Sequence, residues 1–584
     1  MDIRGKEITP RETVDRAKKI LSELGLIYEI DKLDSGTGTY SHQLRVKFKE
    51  MPKYIVADCN GKGITEEYSE ASAFAEMIER ISNMSILLNV EYFELNKYKD
   101  RYISLNEKLI KSKEINKLEG LVKTLYKKFG EKFWSKYKYI GNIMTNSEYN
   151  ICIQMTEISD NSTCYVPFSY VIFESNGMCA GNTKEEALCQ GIFELFERYA
   201  LENIIANKMS VPKIPEEIYQ NTESYKIIKE IEKYEDGRFM VDINDCSLGL
   251  GIPIVGIIIY DKLRKGYKAS FGSSYSYEIA LERCLTEIVQ NYKIDNIKLK
   301  GINNIYDIDV ETNVRNGYFD STEYCPEEYM SDNLNDGYSF KGDINLGSDS
   351  KEIFNNIIKI IKEHDIKIYY FDNSFLGLNC YKIISPELIS GRLEENSKEL
   401  IKSLETAKNL SVEKLEIEEI EDKLNYFETI RESYGYVPYM LGAVNREEVE
   451  GKDTIYLINL MTALLNIKIG NIEEFIYYSN IFLNKYDGHN KRGIELLRCL
   501  ISIYSYGIRE VEFNDTINIL SKIYNKDDIK TCLNIMDNPD KIIHIFGFFN
   551  RDGKGLFNLC RPEFYERYIK FIDDVNKKRI ERGK

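Results

Sequence analysis

The stretch from Gly181 to Arg198 carries more carboxylates on one side than a solvated helix should. Asn182, Glu186, Gln190, Glu194 and Glu197 recur every three or four residues. At a helical turn per 3.6 residues they fall within roughly 120° of the circumference. Leu188, Ile192, Leu195, Phe196 and Tyr199 take the opposing arc. A surface face in so lysine-rich a chain would interleave lysines with its glutamates, as i,i+4 pairs do. None occurs between Glu185 and Arg198, so the stacked like charges call for a cation from elsewhere.

The pattern has an echo. Glu76-Met-Ile-Glu79-Arg80 repeats the ending Glu194-Leu-Phe-Glu197-Arg198, and a third segment places Arg283 and Glu287 four apart on one helix face. With Glu186, that makes six glutamates and three arginines on three helices. Magnesium prefers oxygen ligands and commonly bridges carboxylates to substrate phosphates. Arginine grips phosphate oxygens bidentately. The combination points to a polyphosphate site. The pattern alone leaves open three amphipathic helices with ordinary surface ion pairs.

Other chemistries lack their residues. There is no Gly-x-x-x-x-Gly-Lys-Ser/Thr loop, no nicotinamide fingerprint, no Gly-x-Ser-x-Gly elbow and no His-Glu-x-x-His helix. The twelve cysteines form no Cys-x-x-Cys pair and only four histidines exist, which argues against zinc or iron–sulfur sites. A formal charge of −16 disfavours nucleic acid as the main partner. The lysine-rich stretch 108–138 reads as solvated surface. The N-terminus lacks the apolar core of a signal peptide, and the longest apolar run, near 252–260, reaches about half the span of a bilayer. A reduced, cytoplasmic protein with no membrane segment is expected.

The elements that must position these residues can be read in outline. Thr9-Pro10-Arg11-Glu12 is a capping box, followed by a stripe of Val14, Ala17, Leu21 and Leu24 that Gly25 ends. Strands are expected at 25–30, 42–48, 54–59, 150–157, 165–173, 239–243, 252–260, 268–273 and 366–371, and helices at 68–88, 184–208 and 278–292. At 584 residues, more than one domain is expected. A mixed α/β region of residues 1–395, a charged linker at 396–425 and an all-α region at 426–584 are the expected divisions. The last region pairs helices at 454–467 with 472–486 and 493–505 with 514–524, either as tetratricopeptide-like hairpins or as a plain bundle. Truncation after about Lys423 should then leave some nucleotide binding.

Asn60-Gly-Lys-Gly63, the helix from Ser72 to Arg80, Asn176-Gly-Met-Cys-Ala-Gly-Asn-Thr183, the helix from Glu186 to Arg198 and Ala280-Leu-Glu-Arg-Cys-Leu-Thr-Glu287 together resemble the successive motifs of the YcaO family, in the same order. The resemblance extends over nearly the whole chain. It implies an α+β ATP-binding domain without a P-loop, followed by the helical region. It also implies a magnesium-binding set of Glu76, Glu79, Glu186, Glu194, Glu197 and Glu287, with Lys6, Thr13, Cys179, Asn182, Arg198 and Arg283 toward ATP. Thr13 and Cys179 stand where relatives carry serine; a thiol keeps a backbone contact at that position but is a weak donor.

Family members activate a peptide amide oxygen by phosphorylation so that a nucleophile can add. Azoline-forming members often end in a proline-rich tail, whereas no proline follows Pro562 here. The resemblance therefore favours the stand-alone members, accessory factors to a radical-SAM methylthiotransferase acting on a small-subunit ribosomal protein. A peptide cyclodehydratase or thioamidation enzyme and a non-catalytic, ATP-regulated scaffold are the competing readings. The helical repeats would hold a peptide or a second copy of the chain.

Overall fold

The computed structural model describes residues 6–83, 107–145, 148–171, 176–290, 292–301, 309–320, 323–331, 338–389, 424, 452–484, 491–539 and 562–582. The expected linker falls almost wholly outside them, as do the far end of the helix expected at 68–88 and residues 172–173.

The chain opens with α1 (Pro10–Glu23), β1 (Leu26–Asp34), β2 (Tyr40–Phe48), β3 (Met51–Gly63) and α2 (Glu66–Ser82). It continues with β4 (Glu107–Lys111), α3 (Leu121–Phe129), α4 (Glu131–Thr145), β5 (Tyr149–Glu157), β6 (Thr163–Pro167), β7 (Met178–Gly181) and α5 (Lys184–Ala206). Then come α6 (Glu223–Lys233), β8 (Phe239–Asp245), β9 (Ile254–Asp261), β10 (Gly266–Ser273), α7 (Tyr277–Ile288), β11 (Lys300–Gly301), α8 (Val310–Asp320), α9 (Ser350–Glu363), β12 (Tyr369–Asp372) and β13 (Asn379–Ile384). Helices alone follow: α10 (Lys452–Lys468), α11 (Ile472–Leu483), α12 (Lys491–Ile508), α13 (Phe513–Leu520), α14 (Lys526–Asp537) and α15 (Pro562–Arg582).

Three antiparallel sheets form among the described residues. One has the order β1-β2-β3, a second β11-β10-β9-β8, and the third β4-β5-β12-β13-β7 with β6 on β5. Each sheet delivers one strand directly into a helix of the suspected site: β3 into α2, β7 into α5 and β10 into α7. At all three junctions a hydroxyl caps the helix, as Thr65 accepts from the Tyr68 N–H, Thr183 from Glu186 and Ser276 from Ile279. At all three, too, a glycine lets the strand lie on the helix that follows. A Cβ on Gly181 would come within 2.6 Å of the Ala187 nitrogen, and one on Gly272 within 2.5 Å of the Ala280 oxygen. On Gly61 it would run into Ser69 and Ala73.

The capping box holds, with Thr9 and Glu12 bonded reciprocally. Two local expectations fail. The strand expected at 165–173 stops at Pro167, where the chain turns into one helical turn, Phe168–Val171. The lysine-rich stretch is not mere surface: α3 and α4 bury Leu121, Val122, Leu125 and Trp134 in a hydrophobic core. Its lysines accompany an apolar face that charge counting hides.

The mixed region and the helical region have distinct cores, with α10, α11, α12 and α14 around Leu464, Phe475, Leu497 and Cys532. The last helix departs from this division. Phe571, Ile572 and Val575 of α15 are buried in the core of α1, β2, α2, α3 and α4, where Phe571 meets Phe48 edge-on at 5.7 Å.

Candidate active site: a carboxylate cleft between three helices

Two neighbouring groups of charged side chains follow one another along α5. At its start, Glu186 is 6% exposed and is surrounded by donors. The Lys6 ammonium lies 3.2 Å from Glu186 Oε1, the Glu7 N–H donates to Oε2 at 3.4 Å, and Asn182 Nδ2 donates at 3.4 Å. Asn182 Nδ2 also reaches the Thr13 hydroxyl, 3.1 Å away on α1. Lys6, Thr13, Asn182 and Glu186 thus come together, beside the N-terminus of α1, a position suited to anions.

Two turns further on, α5 presents Glu194, Glu197 and Arg198 across a cleft from α2 and α7. Glu76 is paired with Arg80 at 3.1 Å. Burial, with repulsion from Glu76 and Glu194 that Arg80 only partly offsets, pushes the Glu79 carboxyl up to about 8. Glu194 is pushed up as well, by burial first and by Glu197, against the pull of Arg198, Arg80 and Arg283. Glu197 accepts from the Ser273 N–H at 3.1 Å, and Arg283 approaches it to 4.0 Å. Arg283 also donates to Gln190 at 2.7 Å, while its buried Nε has no hydrogen-bond partner. Arg198 reaches the Gly317 carbonyl at 3.4 Å. Glu287 is held by Lys62, at the end of β3.

Cys179 lies behind the second group, near enough for Glu79 and Glu194 to act on its thiol. It is fully buried between β7, β13 and α5, where it donates to the Tyr381 carbonyl at 3.6 Å, and burial pushes its thiol well up. Its side chain packs against Gly191, and its backbone pairs with Tyr381 of β13.

Lys62 is a site residue that motif reading passed over, although the surrounding Asn-Gly-Lys-Gly was visible. Burial and the neighbouring Arg283 push its amine down to about 8. Arg80, the arginine of the α2 motif, pairs with Glu76.

Among the described residues, no three acidic, histidine or cysteine side chains stand close enough to enclose one ion as they are. Instead, Glu76, Glu186, Glu197 and Glu287 each have a basic partner. The donor set nevertheless fits magnesium with a polyphosphate. Hard oxygen donors crowd to the point of raising one another's proton affinity, and a buried guanidinium nitrogen lacks an acceptor.

The profile of the YcaO family, described as cyclodehydratases that bind ATP and Mg2+, matches residues 60–389, a span that takes in all three helices of the cleft. The chain belongs to the YcaO family. ATP and magnesium are the cofactors of that family. One YcaO relative is the ribosomal protein S12 methylthiotransferase accessory factor YcaO of Escherichia coli K12. It is 28% identical over 396 residues, which are 66% of this chain and 65% of that protein. The match thus spans slightly under two thirds of the E. coli protein. An uncharacterized protein of Haemophilus influenzae is 25% identical over 565 residues, 90% of this chain and 91% of its own length. Among solved structures, YcaO from Methanopyrus kandleri bound with AMPPCP and Mg2+ is 16% identical at a TM-score of 0.41, over 66% of this chain and 93% of that one. A heterocyclase in complex with substrate and cofactor scores 0.46 at 16% identity, over 66% and 53%.

Proposed function

We propose that the chain binds magnesium–ATP in the cleft between α2, α5 and α7 and serves modification of a ribosomal protein, as an accessory factor to a methylthiotransferase in the cytoplasm. One observation carries the reading. Glutamates from three helices, each helix fed by a different sheet, lie with Lys6, Lys62, Arg80, Arg198 and Arg283 in two neighbouring groups along α5. The name of the E. coli relative supports the ribosomal destination. No helix among the described residues is long and apolar enough to cross a membrane.

Magnesium–ATP, when bound, would supply a phosphoryl group able to activate an amide oxygen. The residues of the chain then have distinct tasks. Glu76, Glu79, Glu186, Glu194, Glu197 and Glu287 would hold metal. Lys6, Thr13 and Asn182 would fix the nucleotide beside the start of α1. Arg198 and Arg283 would neutralise negative charge that builds on transferring oxygens, positioned in advance by Glu194, Gln190 and Glu197. The helical region, which exposes Tyr477, Ile508, Phe513 and Ile523, would meet the partner protein.

Calorimetric titration with ATP, with and without magnesium, tests the site. Saturable binding that requires magnesium and weakens at least about tenfold in Glu194→Gln and Arg198→Ala is expected. Normal affinity in folded Glu194→Gln would refute the assignment.

A further inference from the structure

Lys62 is placed with a care that an ordinary surface ion pair does not need. In β3 its neighbours Gly61 and Gly63 both face α2, so close that a Cβ on Gly61 would run into Ser69 and Ala73 and one on Gly63 would come within 2.7 Å of the Ser69 nitrogen. Successive side chains of a strand point to opposite faces. Lys62 therefore points away from α2, toward α7. The Gln290 side chain, just past the end of α7, donates to the Asn60 carbonyl at 3.2 Å and ties this strand end to that helix. The ammonium so delivered meets Glu287, and the pair stays open to the cleft, with 29% of the lysine side chain and 25% of the glutamate side chain exposed.

The surroundings of that ammonium are not those of a simple counter-ion. Arg283 lies one turn before Glu287 on the same face and could have paired with it, yet it turns to Gln190 and Glu197. Lys62, Arg198 and Arg283 instead come near one another, from β3, α5 and α7. Glu287, Glu197 and Glu76 offset these three cations as they stand, so carboxylates drawn onto metal would leave the cations to a polyphosphate. The buried Arg283 Nε, which has no acceptor among the described residues, is a second sign that the group has room for an anionic ligand.

Accepting the ATP reading of the cleft, we infer that Lys62 is a phosphate-directed lysine held in reserve. It neutralises Glu287 while the cleft is free of metal, and turns to the polyphosphate of the nucleotide once that carboxylate is engaged. The glycines on either side let the strand lie tight on α2, which fixes the point from which the lysine stem extends. Of the other basic partners, Arg80 shares a helix with Glu76, Lys6 lies near the N-terminus and Arg283 reaches from α7 to Glu197.

Binding measured by calorimetry on the full chain tests this, with Mg–ATP, magnesium-free ATP in a chelator, and AMP as probes. Lys62→Met is expected to lose about tenfold or more in Mg–ATP affinity, the scale of one charge-assisted contact, while AMP is affected less than twofold. Lys62→Arg should recover part of the loss. Glu287→Gln gives an opposite sign: by releasing the lysine it should strengthen magnesium-free ATP binding several-fold, and the gain should vanish in Glu287→Gln with Lys62→Met. This arm stands even where Lys62→Met alone does not fold. Equal losses for ATP and AMP, unchanged Mg–ATP affinity in Lys62→Met, or no gain in Glu287→Gln would each overturn the inference while wild type still binds. A wild-type chain that binds no Mg–ATP overturns the reading of the cleft and this role with it.

Discussion

Glu79 shows how the site sets stability against binding. Its carboxyl, ordinarily near 4.5, is pushed up to about 8 by burial and then by the surrounding glutamates. Between these values the folded chain holds a proton that the unfolded chain has released. Stability drawn from this group is therefore fully present below 4.5 and is lost as pH rises through 8. Glutamine mimics the protonated form. In chelator-containing buffer Glu79→Gln should raise the midpoint of thermal unfolding by the equivalent of about 1–2 kcal/mol near pH 9 and hardly at all near pH 5. With Mg–ATP present the order should reverse, because the variant lacks the carboxylate proposed to hold metal. A shift equal at both pH values would show that Glu79 does not titrate as described. The need for a cation was legible in the sequence, because glutamates at helical spacing without lysines must repel. The pairings were legible only where local, as Arg80 with Glu76, whereas Lys62 reaches Glu287 across more than two hundred residues.

At the scale of elements, the site is a strand–glycine–helix junction made three times, and the junctions explain why the motifs contain glycine. Gly61 is the most demanding, for any side chain there would meet the Ser69 and Ala73 backbone of α2. Gly61→Ala should cost about 2–4 kcal/mol, read in urea unfolding, and should lower Mg–ATP affinity by displacing Glu76 and Glu79. Gly301→Ala, where nothing lies within 4 Å of the added Cβ, should stay within about 0.5 kcal/mol of wild type. A neutral Gly61→Ala would mean that β3 and α2 can separate without loss. Sequence periodicity found α5 and α7 nearly whole, because caps and apolar stripes are local signals. It passed over β7 and β13, short strands whose pairing, Cys179 with Tyr381 and Ala180 with Cys380, joins segments two hundred residues apart. The turn after Pro167 escaped for a related reason, since the following apolar residues suit either state.

For the whole molecule, the end of the chain closes its beginning. Helices α10 to α14 build their own core, but α15 returns to the first one, burying Phe571, Ile572 and Val575 and pairing Arg579 with the buried Glu107 of β4. Arg567 adds a cation over the Phe48 ring at 4.3 Å. Charge and period along the sequence separate a mixed region from a helical one and cannot tell that the last helix belongs to the former. The partner surfaces lie more than four hundred residues upstream. The consequence bears on the expectation that a fragment ending near Lys423 still binds nucleotide. Three fully buried apolar side chains represent about 1.5–3 kcal/mol each, comparable in sum to the net stability of a domain. Removing α15 also takes Arg579 away from the buried Glu107, a further penalty. A fragment of residues 1–423 should therefore unfold at markedly lower urea concentration than the full chain and bind Mg–ATP weakly. The same fragment joined to residues 562–582 through a flexible linker should recover both. Phe571→Ala in the full chain should cost about 3–5 kcal/mol in the same transition. If residues 1–423 match the full chain in stability and affinity, α15 merely rests on a core that is complete without it. If the fused helix restores both, the carboxylate cleft belongs to a unit whose first and last segments must meet before it can bind.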